Sequence, residues 1–153
     1  MKCQTRKPCA QTDALDNTVH FMYNDGGELI KETNVLGDSR IYTYTALGKV
    51  ETVTDEVGRV TTYKYESGGR LKGIIYPDGA KETLTYDDNN NIKTHTNTLG
   101  LITTYVYNCL NRVVEIINAN GGSKKYIYDP VGNVTSMTNE LGHTTSYSYT
   151  LAR

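Results

Sequence analysis

An all-β fold is expected, built from tandem β-hairpins that repeat at one fixed interval and form a single curved antiparallel sheet. Three observations predict it. Tyrosines stand at 23, 44, 65, 86, 107, 128 and 149, a spacing of 21 residues held through six intervals without an insertion. Between them, apolar and polar residues alternate with a period of two, the signature of strands. Residues that tolerate positive φ recur at two fixed offsets, as two turns per unit require.

The first strand of each unit ends on the anchor tyrosine. Two residues earlier lies a second column, Phe21, Tyr42, Tyr63, Leu84, Tyr105, Tyr126 and Tyr147. Together the columns take 12 of the 13 tyrosines and the one Phe, and there is no Trp. Whatever apolar surface is covered must therefore accept hydroxyls at its edge, which implies thin or wet packing. TTYKYESGGRLKGI, from 61, and TTYVYNCLNRVVEI, from 103, alternate as strands do and lack the i, i+3, i+4 spacing of a helix.

The first turn follows the anchor. Four residues on come Gly27, Gly48, Gly69, Asn90, Asn111 and Gly132. In DPVG, 129 to 132, Asp129 opens a type I turn, Pro130 supplies the fixed negative φ of the next position, and Gly132 takes the left-handed position of a G1 bulge. The second strand begins six residues after the anchor, at Leu29, Val50, Leu71, Ile92, Val113 and Val134. The second turn closes on Gly37, Gly58, Gly79, Gly100, Gly121 and Gly142, as in DEVG, NTLG, NELG and the Pro77-bearing YPDG.

An odd period has a consequence for side-chain direction. With a three-residue first loop, Tyr128 should face Val134 and Tyr126 should face Ser136. For all anchors to share one face, the second connection then needs the opposite parity, through a four-residue loop or a β-bulge in every repeat. Pro77 favours the bulge. The opposite face is expected to be mixed, carrying Ile127 and Met137 in one unit and Lys64 and Lys72 in another. Such a sheet has too little apolar surface for a sandwich, so one layer is expected, with each unit leaning on its neighbours.

Thr12, Asp13 and Leu15 hold the places of Thr138, Asn139 and Leu141, so residues 12–153 are assigned to the array and 1–11 to an irregular N-terminal segment. The last residue, Arg153, falls where the next turn glycine is due, so the array is expected to be truncated at both ends.

The search for chemistry returns turn residues. His20, His95 and His143 fall at three different offsets and share no common face. Asp55 with Glu56, and Asp87 with Asp88, are adjacent acids in turns. Asp129 recurs as Asp87, Asn24 and Asn108, and Glu66 and Thr45 take the same place, a freedom that a catalytic acid would not have. No EF-type or RTX-type calcium loop, phosphate loop or nucleophile elbow occurs. No catalytic, cofactor-binding or metal-binding residue is assigned, and no enzyme activity is expected. Cys3, Cys9 and Cys109 lack metal-ligand spacing and make no disulfide framework, although a Cys3–Cys9 bridge is an option. A net charge of −1 gives no electrostatic reason to expect nucleic acid as a partner. No apolar run is long enough for a membrane-spanning helix, and no signal peptide is visible.

The recurring phrase, YESGGRL at 65 to 71, YNCLNRV at 107 to 113 and YDPVGNV at 128 to 134, resembles the YDxxGRL core of the Rhs/YD-repeat family. The likeness covers about nine-tenths of the chain. The full YD pair occurs at Tyr86–Asp87 and Tyr128–Asp129, and the GR pair in register at Gly69–Arg70. The family includes bacterial polymorphic toxins, toxin-complex cocoon proteins and teneurins. The resemblance implies hairpins that spiral into a hollow shell enclosing a toxic domain, and a secreted or cell-surface location. The family's self-cleaving end and toxin domain have no counterpart in this chain. The implied partners are the rest of the shell and an enclosed toxin. The alternative is a cell-surface carbohydrate-binding or adhesion module, with sugar rings stacked on the tyrosine columns.

Overall fold

The computed structural model describes residues 7–150. Its elements are all strands: β1 (Ala10–Thr12), β2 (Thr18–Tyr23), β3 (Leu29–Thr33), β4 (Ser39–Tyr44), β5 (Val50–Thr54), β6 (Val60–Tyr65) and β7 (Leu71–Ile75). They continue with β8 (Lys81–Tyr86), β9 (Ile92–Thr96), β10 (Ile102–Tyr107), β11 (Val113–Ile117), β12 (Ser123–Tyr128), β13 (Val134–Thr138) and β14 (Thr144–Ser146). The chain divides into two compact units after Lys81, the first residue of β8. Within each unit, consecutive strands are antiparallel neighbours in a single layer. The expected all-β hairpin array is therefore what the chain forms.

A six-residue strand, a five-residue turn, a five-residue strand and a second five-residue turn make up each repeat. Both turns have the same geometry. In the first, Gly132 N donates to Asp129 O at 3.1 Å and Asp129 N to Asn133 O at 2.9 Å; in the second, Gly142 N donates to Asn139 O and Asn139 N to His143 O. Each is a type I turn closed by a residue of positive φ: glycine at most sites, Asn90 and Asn111 at two first turns, and Asp16 in the earliest second turn. The opening Asp or Asn caps its turn. Asp55 Oδ1, for instance, accepts from Val57 N and Arg59 N, and Asn97 Oδ1 from Leu99 N and Leu101 N.

Identical turns leave the parity problem to be solved elsewhere. The solution is a bulge in the ladder just behind each first turn: Tyr128 pairs with Val134 as expected, but Ile127 pairs with Ser136 and Tyr126 with Met137. The same shift falls between Met22 and Tyr23, Thr43 and Tyr44, Lys64 and Tyr65, Thr85 and Tyr86, and Val106 and Tyr107. This corrects two expectations. The second connection keeps the three-residue loop of the first, and Tyr126 faces Met137 rather than Ser136, because Thr135 is the extra residue. Met137 accordingly lies on the tyrosine face, and Lys72 is the bulged residue of its own repeat.

The bulge also staggers the sheet. Phe21 aligns through Glu32 with Arg40, and Tyr126 through Met137 with Thr145, each two positions short of the next member of the column, Tyr42 or Tyr147. Within each unit, each hairpin thus slides by those two positions relative to the last, while both columns stay on one face. Beside them on that face lie the aliphatic column at Val50, Val113 and Val134, and the column containing Val53, Ile74, Ile116 and Met137. Threonine dominates the other face, with hydroxyl pairs Thr43–Thr52 and Thr85–Thr94 at 2.6 Å.

Among the described residues no apolar side chain is fully buried. The thin packing inferred from tyrosine content is what a one-layer sheet gives. Pairing begins at Ala10, two residues before the expected boundary at Thr12. Cys9 is disulfide-bonded and Cys109 is free; Cys3 lies outside the described residues.

Candidate functional site

The strand ladder leaves one gap per repeat, and the anchor tyrosine fills it. Between β11 and β12 the paired residues stop at Glu115 and Lys125, two residues short of Val113, and between β3 and β4 they stop at Lys31 and Ile41, two short of Leu29. The carbonyl of the first β11 residue would be left without a ladder partner there, and an unpaired backbone group is costly once shielded from water. The Tyr128 hydroxyl donates to it, reaching Val113 O at 2.7 Å. Tyr44 does the same to Leu29 O at 2.7 Å, Tyr65 to Val50 O at 2.7 Å, Tyr107 to Ile92 O at 2.9 Å and Tyr149 to Val134 O at 2.8 Å. Every donor stands at the same interval after its acceptor, so each bond ties one repeat to the one before it. Burial, the leading cause, raises the Tyr44, Tyr65 and Tyr107 phenols above their ordinary pKa, as a shielded donor should be.

Cations reinforce the same junction. The Arg112 guanidinium stacks 4.7 Å from the centre of the Tyr128 ring while its Nη1 donates to Asp129 O at 3.1 Å. Lys7 repeats the arrangement over Tyr23, at 5.4 Å, with Nζ donating to Gly27 O at 2.8 Å. Cation–π contacts of this kind contribute roughly 0.5–1 kcal/mol when exposed. Arg40–Glu56 at 2.9 Å and Lys125–Glu115 at 3.5 Å add exposed ion pairs, which are worth little singly.

Phe21, Tyr42, Tyr63, Leu84, Tyr105 and Tyr126 lie half-buried beside the anchors, and Gly37, Gly58, Gly79, Gly100, Gly121 and Gly142 all sit at positive φ in second turns. The tyrosine latch itself escaped the sequence reading, although a hydroxyl retained in every anchor was the signal that could have found it. Among the acids, Asp129 is a turn cap, accepting from Asn133 N at 2.8 Å and Asn133 Nδ2 at 2.9 Å. Hydrogen bonds from Asn91 and Asn17, the largest influences, hold the Asp87 and Asp13 carboxyls below their usual range. The three histidines are not brought together: His95 bonds Glu82 at 2.9 Å across the β8–β9 hairpin, and His143 lies in a turn. No three His, Cys, Asp or Glu side chains converge on a common point among the described residues.

Fold and latch together define a tandem β-hairpin protein whose repeats are joined through their tyrosines. The RHS Repeat family model matches residues 44–81, 86–123 and 128–152, more than half of the chain, and the chain belongs to that family. A search of curated proteins returns no match. Among solved structures, the chain is similar to the TcdB2–TccC3–Cdc42 crystal structure, with a TM-score of 0.69 at 19% identity over 80% of this chain and 8% of that one. Its similarity to a Photorhabdus luminescens Tc holotoxin pore gives a TM-score of 0.68 at 20% identity, over 80% of this chain and 7% of that one. The chain therefore spans less than a tenth of the proteins it matches, and the likeness concerns the fold.

Proposed function

We propose that the chain is a length of structural wall from an Rhs/YD-type shell, acting by enclosing or presenting a toxin or effector outside the producing cell, with no catalysis of its own. The observation that carries this reading is the latch: the recurring polar chemistry of the array is engaged in joining each repeat to its neighbour. The two-residue stagger per hairpin supports it too, since a sheet whose register slides steadily tilts its strands, as closed and spiralling sheets require. One of the structures it resembles in fold is a Tc holotoxin pore, which favours a toxin as the enclosed partner. The alternative, sugar stacking on the tyrosine columns, is weakened by the anchor hydroxyls being bonded to carbonyls already.

Limited proteolysis of the full reading frame tests the proposal. An enclosed segment should survive a protease concentration that digests it once the wall is opened by replacing Tyr65, Tyr107 and Tyr128 with Ala. Equal digestion in both proteins would remove the enclosure reading.

A further inference from the structure

One turn tip carries a reactive pair that occurs nowhere else in the array. Asn120 is followed by Gly121, the one Asn–Gly step in the sequence, in the second turn between β11 and β12. Both residues are exposed, and a Cβ built on Gly121 would meet nothing within 4 Å. A glycine in that place lets its backbone nitrogen approach the preceding side chain, because no Cβ stands in the way. The side chain is set to receive it. Asn120 Oδ1 accepts from Gly122 N at 3.0 Å, so a donor already points at the oxygen on which negative charge develops during attack at Cγ. Nδ2, the group that must leave, has no partner among the described residues.

Neighbouring asparagines lack this combination. Asn118, in the same turn, precedes Ala119 and donates Nδ2 to Glu140 Oε1 at 2.6 Å. Asn133 precedes Val134 and donates Nδ2 to Asp129 Oδ2 at 2.9 Å. Asn97 and Asn139 precede Thr98 and Glu140, and each caps two backbone N–H groups.

We propose that Asn120 is a site of hydrolytic deamidation whose two products act differently on the β11–β12 hairpin: aspartate keeps the turn and isoaspartate opens it. Gly121 N gives its proton to water and bonds to Asn120 Cγ; the Cγ–Nδ2 bond breaks and Nδ2 leaves as ammonia. Water then opens the resulting succinimide. Breaking the new N–Cγ bond yields aspartate, whereas breaking the original peptide bond yields isoaspartate, whose chain runs through Cβ and Cγ. In sum one amide and one water become one carboxylate and one ammonium ion. Gly121 N also donates to Asn118 O at 2.9 Å, so attack requires that bond to open, and a denaturant that opens it should speed the reaction.

The aspartate product has a precedent in the first unit. Asp78 holds the equivalent place before Gly79, its Oδ1 accepts from Ala80 N at 2.9 Å, and Gly79 N donates to Tyr76 O at 2.9 Å as Gly121 N does to Asn118 O. Isoaspartate instead adds a backbone atom inside the ring that Gly121 N and Asn118 O close, and loop length fixes hairpin register.

The test incubates the full chain at mildly alkaline pH, with and without urea, and follows tryptic peptide 113–124 by mass spectrometry, with isoaspartyl methyltransferase labelling to mark isoaspartate. The amide-to-acid mass increase should appear at Asn120 at least tenfold faster than at Asn118 and faster still in urea. It should vanish in Asn120→Leu, a residue that Leu99 and Leu141 show this place accepts. Chromatographically separated isoaspartyl chain should melt below the parent, whereas Asn120→Asp should melt with it. Equal rates at Asn118 and Asn120, no mass increase, no acceleration in urea, or an isoaspartyl chain as stable as Asn120→Asp would overturn the proposal.

Discussion

Replacing Tyr128 with Phe removes one hydroxyl and little else, and so isolates the latch. The ring stays in place under Arg112, while the 2.7 Å bond to Val113 O is lost. A hydrogen bond of this kind contributes about 0.5–1.5 kcal/mol net, because water competes for both partners in the unfolded chain. Val113 is only half-buried, so water partly re-solvates its carbonyl and the loss should fall near about 1 kcal/mol, not at the higher cost of a sealed orphan. For a protein of this size that lowers the melting temperature by roughly 2–4 °C. Tyr126→Phe is the internal control: its hydroxyl has no backbone carbonyl partner among the described residues, and its loss should cost less than about 0.3 kcal/mol. Urea denaturation followed by circular dichroism reads both, the midpoint moving at constant slope. Equal midpoints for the two variants would refute the latch as a source of stability.

Lys93, the bulged residue of β9, should be deletable with every later side chain still on its own face, because Tyr86 stays opposite Ile92 and Thr85 opposite Thr94, whereas inserting one residue between Thr94 and His95 should flip every later side chain and abolish cooperative unfolding in the second unit; an insertion variant with wild-type stability would contradict the parity argument. Gly58, at φ 83° with open space around it, should lose about 1 kcal/mol as Ala through backbone strain alone, and less than half of that as Asn, in the same denaturation assay. Stability should also fall at both pH extremes. The Tyr44, Tyr65 and Tyr107 phenols are raised in the folded state, so their contribution is complete below the unfolded value near 10 and fades as pH climbs past it. The Asp13 and Asp87 carboxyls are lowered, so theirs is complete above about 4 and fades as pH drops through the folded value. Melting scans from pH 3 to 11 would show both limbs; a melting point that still rises above pH 10 would sink the tyrosine part.

The hairpins, both turns and the tyrosine columns were legible in the sequence because each rests on local rules: alternation for strands, positive φ for turn closure, and a strict period for repetition. The parity argument required one correction per repeat but could not locate it. The bulged positions are Ile30, Glu51, Lys72, Lys93, Val114 and Thr135, a column with no common chemistry, since a bulge asks only for an extra residue. Pro77 pointed to the second connection, yet it sits at the ordinary proline position of a type I turn. The latch was hidden for another reason. A tyrosine ring predicts packing, and only the splay of β11 from β12 reveals that a carbonyl in the preceding repeat needs a donor.

The division of labour between the two columns can be measured residue by residue by O-acetylating the folded protein with N-acetylimidazole and quantifying each tyrosine by mass spectrometry. The account predicts that Tyr44, Tyr65 and Tyr128, with their hydroxyls held on Leu29, Val50 and Val113, react far more slowly than Tyr63, Tyr105 and Tyr126. Equal reactivity in the two columns would contradict it.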